Sequence, residues 1–153
     1  MQPILYTRQM LAPVIYVTRK SHFNAAHKLF NPKWSVEQNE AVFGKCANAN
    51  WHGHNFDLYI TIKGRPSEDT GFVMDLKQLK VLIEREVIDL LDHKNLNKDV
   101  PFLKDIFPSV EHIAIGIWNI LSPQFPEGVK LHKVLLYETE RNFVEYFGPD
   151  TPF

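Results

Sequence analysis

Two histidines flank a glycine at His52-Gly53-His54, at the start of a segment that alternates apolar and polar side chains. In a β-strand, residues i and i+2 point to the same face, so these imidazoles would project together, about 7 Å apart at their Cα atoms. His27 ends an earlier strand-like segment, and pairing of the two segments would add a third imidazole. Three histidines with an open fourth position are the ligand set of a catalytic zinc site. The alternative is a chance motif or a pair of surface histidines.

Cys46 lies six residues before His52, in a loop rich in asparagine. Beside a metal, its thiolate could act as a base or as a nucleophile. It could instead close a structural zinc site as the fourth ligand. A buried thiol without chemistry is the commonest state of a lone cysteine. The sequence leaves these roles open, but it excludes an intrachain disulfide because Cys46 is the one cysteine of the chain.

Two further positions carry side chains that could move protons or hold a substrate. Asp92 and His93 follow a predicted helix, and a histidine held by a carboxylate can relay protons near neutral pH. The alternative is a histidine favoured by the negative end of the helix dipole. Glu138 lies near the end of a predicted strand, where its carboxylate could anchor a guanidine-like group through two hydrogen bonds. Otherwise it is a solvated residue at the edge of the sheet.

These side chains need a scaffold, and the hydropathy pattern predicts an α+β fold. Strands are predicted over residues 14–29, 52–63, 72–74, 129–140 and 143–147, with a tight turn at Arg141-Asn142 between the last two. Helices are predicted from the N-cap Asp75 to about Leu91 and from the N-cap Ser109 over 110–121, and residues 92–108 are mostly loop. This order favours an antiparallel sheet with two helices on one face. The uncovered face indicates oligomerisation.

Length and composition narrow the class of protein. The chain has 153 residues, so we expect a single domain at residues 14–153 after a loose arm at 1–13. Its 17 basic and 18 acidic residues give a formal charge of -1, which argues against a general nucleic-acid partner. No apolar run approaches the ~20 residues of a membrane span, and the N-terminus lacks the apolar core of a signal peptide. We therefore expect a cytoplasmic protein without a membrane partner.

Five motifs occur in an order that resembles a known family. They are Phe23-Asn24-Ala25-Ala26-His27, Phe43-Gly44-Lys45-Cys46, His52-Gly53-His54-Asn55, Leu91-Asp92-His93-Lys94-Asn95-Leu96 and Tyr137-Glu138-Thr139. In this order they are similar to the 6-pyruvoyl-tetrahydropterin synthases and to the related 6-carboxytetrahydropterin synthases of queuosine biosynthesis. The resemblance covers about residues 16–147, and five ordered motifs are far more specific than one.

The resemblance implies a fold, an assembly and a metal. The fold would be the tunnelling fold (T-fold), a four-stranded antiparallel sheet with two helices. Three sheets would close into a barrel, which removes their open edges, and two such trimers would form a hexamer. His27, His52 and His54 would bind zinc.

The resemblance also implies roles for the remaining candidates. Cys46 would be the base, with Asp92 and His93 as its proton-handling partners across a subunit interface. Glu138 would hold the 2-amino and ring N–H edge of a pterin. Ser109 would be a second substrate contact.

The reaction implied is the conversion of 7,8-dihydroneopterin triphosphate to 6-pyruvoyl-tetrahydropterin, with elimination of triphosphate. One alternative is the 6-carboxy product, which releases acetaldehyde, and another is a zinc- or pterin-binding module without catalysis. Five residues separate Cys46 from His52. This spacing resembles the biopterin-pathway synthases, whereas many queuosine-pathway enzymes have three, so the pyruvoyl product is favoured.

Overall fold

The structure, a computed structural model, describes residues 13–152. Two strands of 13 residues each dominate it: β1, Ile15–His27, and β2, His52–Gly64. They pair antiparallel along their whole length, so that His27 lies opposite His52 at one end. The first two predicted strands are therefore confirmed. The predicted arm at residues 1–13 lies outside the described residues, apart from its last position.

Three more strands complete the sheet. Two of them are antiparallel: β4, Lys130–Tyr137, lies beside β2, and β5, Phe143–Tyr146, lies beside β4. The third, β3, Lys94–Asn95, has two residues and runs parallel to the end of β1. The strand order is β3-β1-β2-β4-β5, so the four predicted antiparallel strands gain one short parallel neighbour.

The predicted strand at 72–74 is wrong. These residues form bends within a turn, in which the Ser67 N–H donates to the Phe72 carbonyl. Within residues 13–152 this stretch pairs with no strand of the sheet, and the Phe72 side chain is exposed rather than packed in the core.

The predicted end of the fourth strand is also wrong. Tyr137 pairs directly with Phe143, so the connection between β4 and β5 is the loop 138–142 rather than a turn at Arg141-Asn142. The Asn142 carbonyl accepts the N–H groups of both residue 138 and residue 139, which closes this loop. Glu138 therefore lies in a loop and not in the strand.

Two of the helices begin where the sequence predicts caps. The helices are α1, Val36–Phe43; α2, Leu76–Ile83, continued by a π-helical turn, Glu84–Ile88, and by α3, Asp89–Leu91; and α4, Val110–Leu121. Short 3₁₀ turns cover Gly44–Ala47, Pro101–Leu103 and Ser122–Gln124. The Asp75 carboxylate caps α2 and the Ser109 hydroxyl caps α4, as predicted. Within residues 13–152, no helix has both the length and the apolar character needed to cross a membrane.

The hydrophobic core lies between one face of the sheet and the helices. It contains large apolar side chains from both layers, including Phe23, Phe56, Leu58, Ile60, Leu79, Ile83, Ile113 and Ile117. Alternate residues of a strand face the same side. On β1 the buried row runs from Phe23 through Ala25 to His27, so a candidate metal ligand takes the last buried position of the strand.

Candidate metal centre and active site

The three predicted ligands meet where β1 and β2 end. The register places His27 opposite His52, and His54 opposite Ala25 on the same face. The ring centroids are 4.5 Å apart for His27 and His52, 4.9 Å for His52 and His54, and 5.1 Å for His27 and His54. One nitrogen from each ring lies within 4.8 Å of the others. The structure thus brings together the three side chains that the sequence proposed as metal ligands.

Four ring nitrogens of these histidines lack hydrogen-bond partners. Nε2 of His27, Nε2 of His54 and both ring nitrogens of His52 are buried without a partner in the described structure. Buried polar atoms in proteins are normally paired, and each exception calls for an explanation. A cation between three imidazoles satisfies these atoms together, and nitrogen donors of this kind suit zinc.

A backbone carbonyl orients the most buried ring. Nδ1 of His27 lies 2.8 Å from the Pro108 carbonyl oxygen, which can only accept, so Nδ1 carries the proton. Nε2 of the neutral ring then offers its lone pair to the centre. A metal-bound histidine typically donates its other ring N–H to such an acceptor. The sequence could not reveal this contact because it uses a main-chain atom.

The protonation of the cluster also suits a metal. Burial lowers the pKa of His27, His52 and His54, because a charged imidazole loses its hydration there. The rings are therefore neutral at neutral pH. Metal binding to histidine requires this neutral form.

Gly53 allows the two strands to approach each other beside the ligands. A Cβ atom at this position would lie 2.9 Å from the Ala25 carbonyl oxygen of β1. No side chain fits there without moving the strands apart. The glycine between the two histidines thus preserves the spacing of His27 and His52.

Glu138 faces the centre from the loop 138–142. Its Oε1 lies 3.5 Å from Nε2 of His27 and 3.6 Å from Nε2 of His54, and its side chain is 21% exposed. With Nδ1 of His27 protonated, Nε2 presents a lone pair to a carboxylate oxygen. Two acceptors that face each other repel unless a positive charge stands near them, so this contact is a second indication of a cation site.

Cys46 is linked to this centre by a backbone hydrogen bond near His27 and by the charge of Glu138. It lies in the 3₁₀ turn after α1, and its carbonyl accepts the Leu29 N–H at 2.9 Å. Burial raises the pKa of the half-buried thiol, and the nearby charge of Glu138 raises this pKa further. Within residues 13–152, the cluster of possible ligand atoms consists of the three histidines and does not include Cys46.

Asp92 and His93 form a pair on the edge of β1. Nδ1 of His93 lies 2.9 Å from Oδ2 of Asp92. The pair is fixed to Asn24, whose N–H donates to Oδ1 of Asp92 at 2.8 Å and whose carbonyl accepts the His93 N–H at 2.6 Å. The N–H of Asn24 lowers the pKa of the Asp92 carboxyl, and the hydrogen bond to His93 adds to this effect.

This pair points outward in the single chain. The side chain of His93 is 82% exposed and that of Asp92 is 36% exposed. Throughout residues 13–152, no hydrogen bond or ion pair joins either residue to the three imidazoles or to Cys46. The structure therefore confirms the contact between Asp92 and His93 but does not place the pair on the metal centre of its own chain.

Ser109 lies next to the carbonyl that orients His27. Its hydroxyl accepts the N–H of His112 at 3.4 Å and lies 3.3 Å from Nδ1 of the same residue. The hydroxyl thus caps α4, and its role as a substrate contact stays a prediction.

The sheet topology and the trihistidine centre define a T-fold protein with a candidate metal site. Residues 16–149 match the sequence model of the family described as 6-pyruvoyl tetrahydropterin synthase. The chain belongs to the 6-pyruvoyl tetrahydropterin synthase family. The predicted fold class and the predicted resemblance are both confirmed.

Relatives with this description are similar to nearly the whole chain. The 6-pyruvoyl tetrahydrobiopterin synthase of Pongo abelii is 44% identical over 132 residues, which cover 86% of this chain and 90% of that protein. The synthase of Dictyostelium discoideum is 41% identical over 138 residues, which cover 90% of this chain and 99% of that protein. The solved structure of Caenorhabditis elegans 6-pyruvoyl tetrahydropterin synthase has a TM-score of 0.84 and 36% identity, and covers 92% of this chain and 99% of that chain.

Proposed function

We propose that this chain is a zinc-dependent lyase that converts 7,8-dihydroneopterin triphosphate to 6-pyruvoyl-tetrahydropterin and eliminates triphosphate. The observation that carries the proposal is the set of buried imidazole nitrogens without partners, faced by the carboxylate of Glu138. Membership of the synthase family and the names of the relatives support the substrate class.

His27, His52 and His54 would hold the metal. Zinc bound there supplies Lewis acidity to the side-chain hydroxyls of the pterin, which makes the neighbouring C–H groups more acidic. The carbonyl of Pro108 keeps Nε2 of His27 free for this role. Burial lowers the pKa of all three rings, which favours the neutral form that binds a metal.

Cys46 would take the proton from the substrate carbon. Burial and the charge of Glu138 raise the pKa of its thiol, so a nearby cation would be needed to favour the thiolate that accepts the proton. This dependence links the basicity of Cys46 to the occupied metal centre. The internal proton shifts and the loss of triphosphate then need no external redox cofactor.

Glu138 and Ser109 would position the pterin. A carboxylate can accept two parallel hydrogen bonds from the 2-amino group and the adjacent ring N–H. The 21% exposure of Glu138 leaves its carboxylate accessible to a ligand.

Asp92 and His93 would act on a second copy of the chain, in a homo-oligomer built as a hexamer of two trimers. Their exposure and their firm attachment to Asn24 support this role, because an outward pair can be enclosed by a neighbour. The edge of β1 before Asn24 pairs with no other described strand than β2. Such an open edge is a template for pairing with another chain.

Product analysis tests the proposal. Zinc-loaded protein is incubated with 7,8-dihydroneopterin triphosphate without oxygen, aldehydes are trapped, and the pterin is identified by mass spectrometry. We expect triphosphate and the 6-pyruvoyl pterin without acetaldehyde. Acetaldehyde with a 6-carboxy pterin would assign the alternative lyase reaction to the same site. Unchanged substrate, with zinc content verified, would contradict catalysis and favour a binding module.

Cys46→Ala separates the roles of the cysteine. We expect this variant to keep one zinc per chain and to lose turnover by about a thousandfold, as is typical when a catalytic base is removed. Loss of zinc from this variant would instead identify Cys46 as a ligand that closes the site.

A further inference from the structure

The segment 92–97, which contains β3, lies along one edge of β1 and pairs with it through side chains as well as through its backbone. At one end, Asp92 accepts the Asn24 N–H. In the middle, the Leu96 N–H donates to the Ala26 carbonyl at 2.8 Å. At the other end the backbone pairing stops, and the side chain of Asn97 continues it.

The amide of Asn97 pairs with both backbone groups of Lys28. Its Oδ1 accepts the Lys28 N–H at 2.9 Å, and its Nδ2 donates to the Lys28 carbonyl at 2.9 Å. A primary amide offers the same donor and acceptor as a peptide group. Asn97 therefore extends the ladder of β1 by one residue beyond His27, where the strand itself ends.

Lys28 stands between the metal centre and the candidate base. On one side is His27, whose ring is buried in the cluster. On the other side is Leu29, whose N–H donates to the Cys46 carbonyl at 2.9 Å. The two hydrogen bonds from Asn97 to Lys28 thus hold the stretch of chain that fixes the backbone of Cys46 relative to His27.

Asn97 is held in place by its own turn. Its N–H donates to Oδ1 of Asn95 at 3.1 Å, and the Asn95 N–H donates to Oδ2 of Asp99 at 2.8 Å. The Asn97 side chain is exposed, and both hydrogen bonds of its amide go to Lys28 rather than to the imidazoles or to Cys46. The turn fixes the backbone that carries this amide, which suits a positioning role.

We propose that Asn97 is a positioning residue that sets the distance between the Cys46 thiol and the trihistidine centre through Lys28 and Leu29. The proposal rests on the proposed function, in which Cys46 is the base. The alternative is that Asn97 only fastens the segment 92–97 to β1 and contributes to stability.

The experiment compares Asn97→Ala with Asn97→Asp and with Ser67→Ala. Asn97→Asp keeps an acceptor for the Lys28 N–H and loses the donor to the Lys28 carbonyl. Ser67→Ala is the control, because it removes one hydrogen bond within an exposed turn that follows β2. This turn lies after Gly64, whereas His52 and His54 lie at the beginning of β2. Turnover, zinc content, melting temperature and the rate of Cys46 alkylation by iodoacetamide are measured on each full-length protein. The alkylation rate reports on Cys46 alone, since the chain has one cysteine.

For Asn97→Ala we expect kcat to fall by about tenfold to a hundredfold, because small displacements of a reacting group have effects of this size. We expect KM to stay within about twofold of the wild-type value and zinc to remain at one per chain. When alkylation is measured well below the melting temperature, we expect its rate to change severalfold. Asn97→Asp is expected to lie between Asn97→Ala and the wild type, and Ser67→Ala to match the wild type.

An alkylation rate that stays at the wild-type value in both Asn97 variants would overturn the proposal, whatever their melting temperatures. The same holds if kcat falls only in proportion to lost zinc. If the wild-type protein shows no turnover, the proposed function fails. The alkylation comparison still tests whether Asn97 positions Cys46.

Discussion

The two groups of functional side chains differ in how the fold holds them. The imidazoles of His27, His52 and His54 are fixed by the longest strand pairing of the sheet and lie in buried surroundings. The pair Asp92–His93 is fixed through Asn24 at a sheet edge and leaves His93 82% exposed. One chain therefore brings the three candidate metal ligands together but presents the Asp92–His93 pair to the outside.

This difference indicates which side chains need a second copy of the chain to become buried. The register of β1 and β2 brings the three candidate ligands together within one chain, and a backbone carbonyl orients the ring of His27. The exposed pair gains a desolvated environment only when another surface covers it. A site made from both groups would then form only in the oligomer.

The largest effect is expected from removing a ligand of the buried group. His52→Ala deletes a ring whose nitrogens both lack partners, so we expect the zinc content after dialysis to fall below about a tenth of one per chain. Elemental analysis measures the metal, and circular dichroism verifies the fold. His132→Ala is the control, because this ring packs against Tyr16 away from the cluster. Wild-type zinc content in His52→Ala would contradict the assignment of this ligand.

A mixing experiment tests whether the exposed group serves another chain. Cys46→Ala and His93→Ala are each expected to be inactive. The two variants are dissociated, mixed in equal amounts and reassembled. If each site takes Cys46 from one chain and His93 from another, random assembly leaves both residues intact in about one site in four. Activity of about a quarter of the wild-type value is expected.

The control for the mixing experiment is the same procedure with each variant alone. No recovery in the mixture, with hexamers verified by light scattering, would place the pair and the base of each site on one chain. The comparison between the buried and the exposed group would then lose its functional meaning.

Gly53→Ala perturbs the buried group without changing a ligand. The added Cβ meets the Ala25 carbonyl oxygen at 2.9 Å, so the strands must separate beside His52. We expect the free energy of unfolding to fall by about 1–3 kcal/mol and zinc affinity to decrease. Urea unfolding and competition with a zinc chelator measure the two effects. Asn55→Ala, on the same strand with its side chain exposed, serves as control and is expected to keep the zinc affinity of the wild type.

The smallest effect is the pH dependence of the metal-free protein. Burial lowers the pKa of His27 below its ordinary value of 6.5. As the pH falls below 6.5, the unfolded chain takes up a proton at this ring while the folded chain does not. The free energy of unfolding therefore decreases with falling pH until the folded pKa is reached, by up to about 1.4 kcal/mol per pH unit for this group.

Urea midpoints of the metal-free protein between about pH 7.5 and about pH 5.5 measure this slope. His27→Gln is expected to have a shallower slope than the wild type. Equal slopes in the two proteins would show that His27 is not held neutral by burial.

The sequence predicted the features that follow from the local alternation of side chains or from residues within one helical turn. The alternation of β1 and β2 was sufficient to bring three histidines to one face, and the structure confirms their meeting at the strand ends. The caps of α2 and α4 were also predictable, because Asp75 and Ser109 act within one turn of their helices.

Features that depend on contacts distant in sequence were not predictable. Glu138 reaches the centre because the pairing of Tyr137 with Phe143 leaves residues 138–142 as a loop, and no local pattern fixes that register. The two residues of β3 have no period to detect. The Pro108 carbonyl that orients His27 carries no side-chain signal at all.

The segment between His27 and His52 has an evolutionary consequence. The chain leaves the sheet at His27 and returns at His52, directly opposite, so residues 28–51 form an appendage whose two ends are pinned by strand register. Cys46 belongs to this appendage, whereas the histidines belong to the sheet. Insertions, deletions or a new nucleophile beyond Lys28 and Leu29 can therefore arise without changing the register that brings the three histidines together. A lineage can in this way diversify its reactions while it inherits the histidine cluster unchanged.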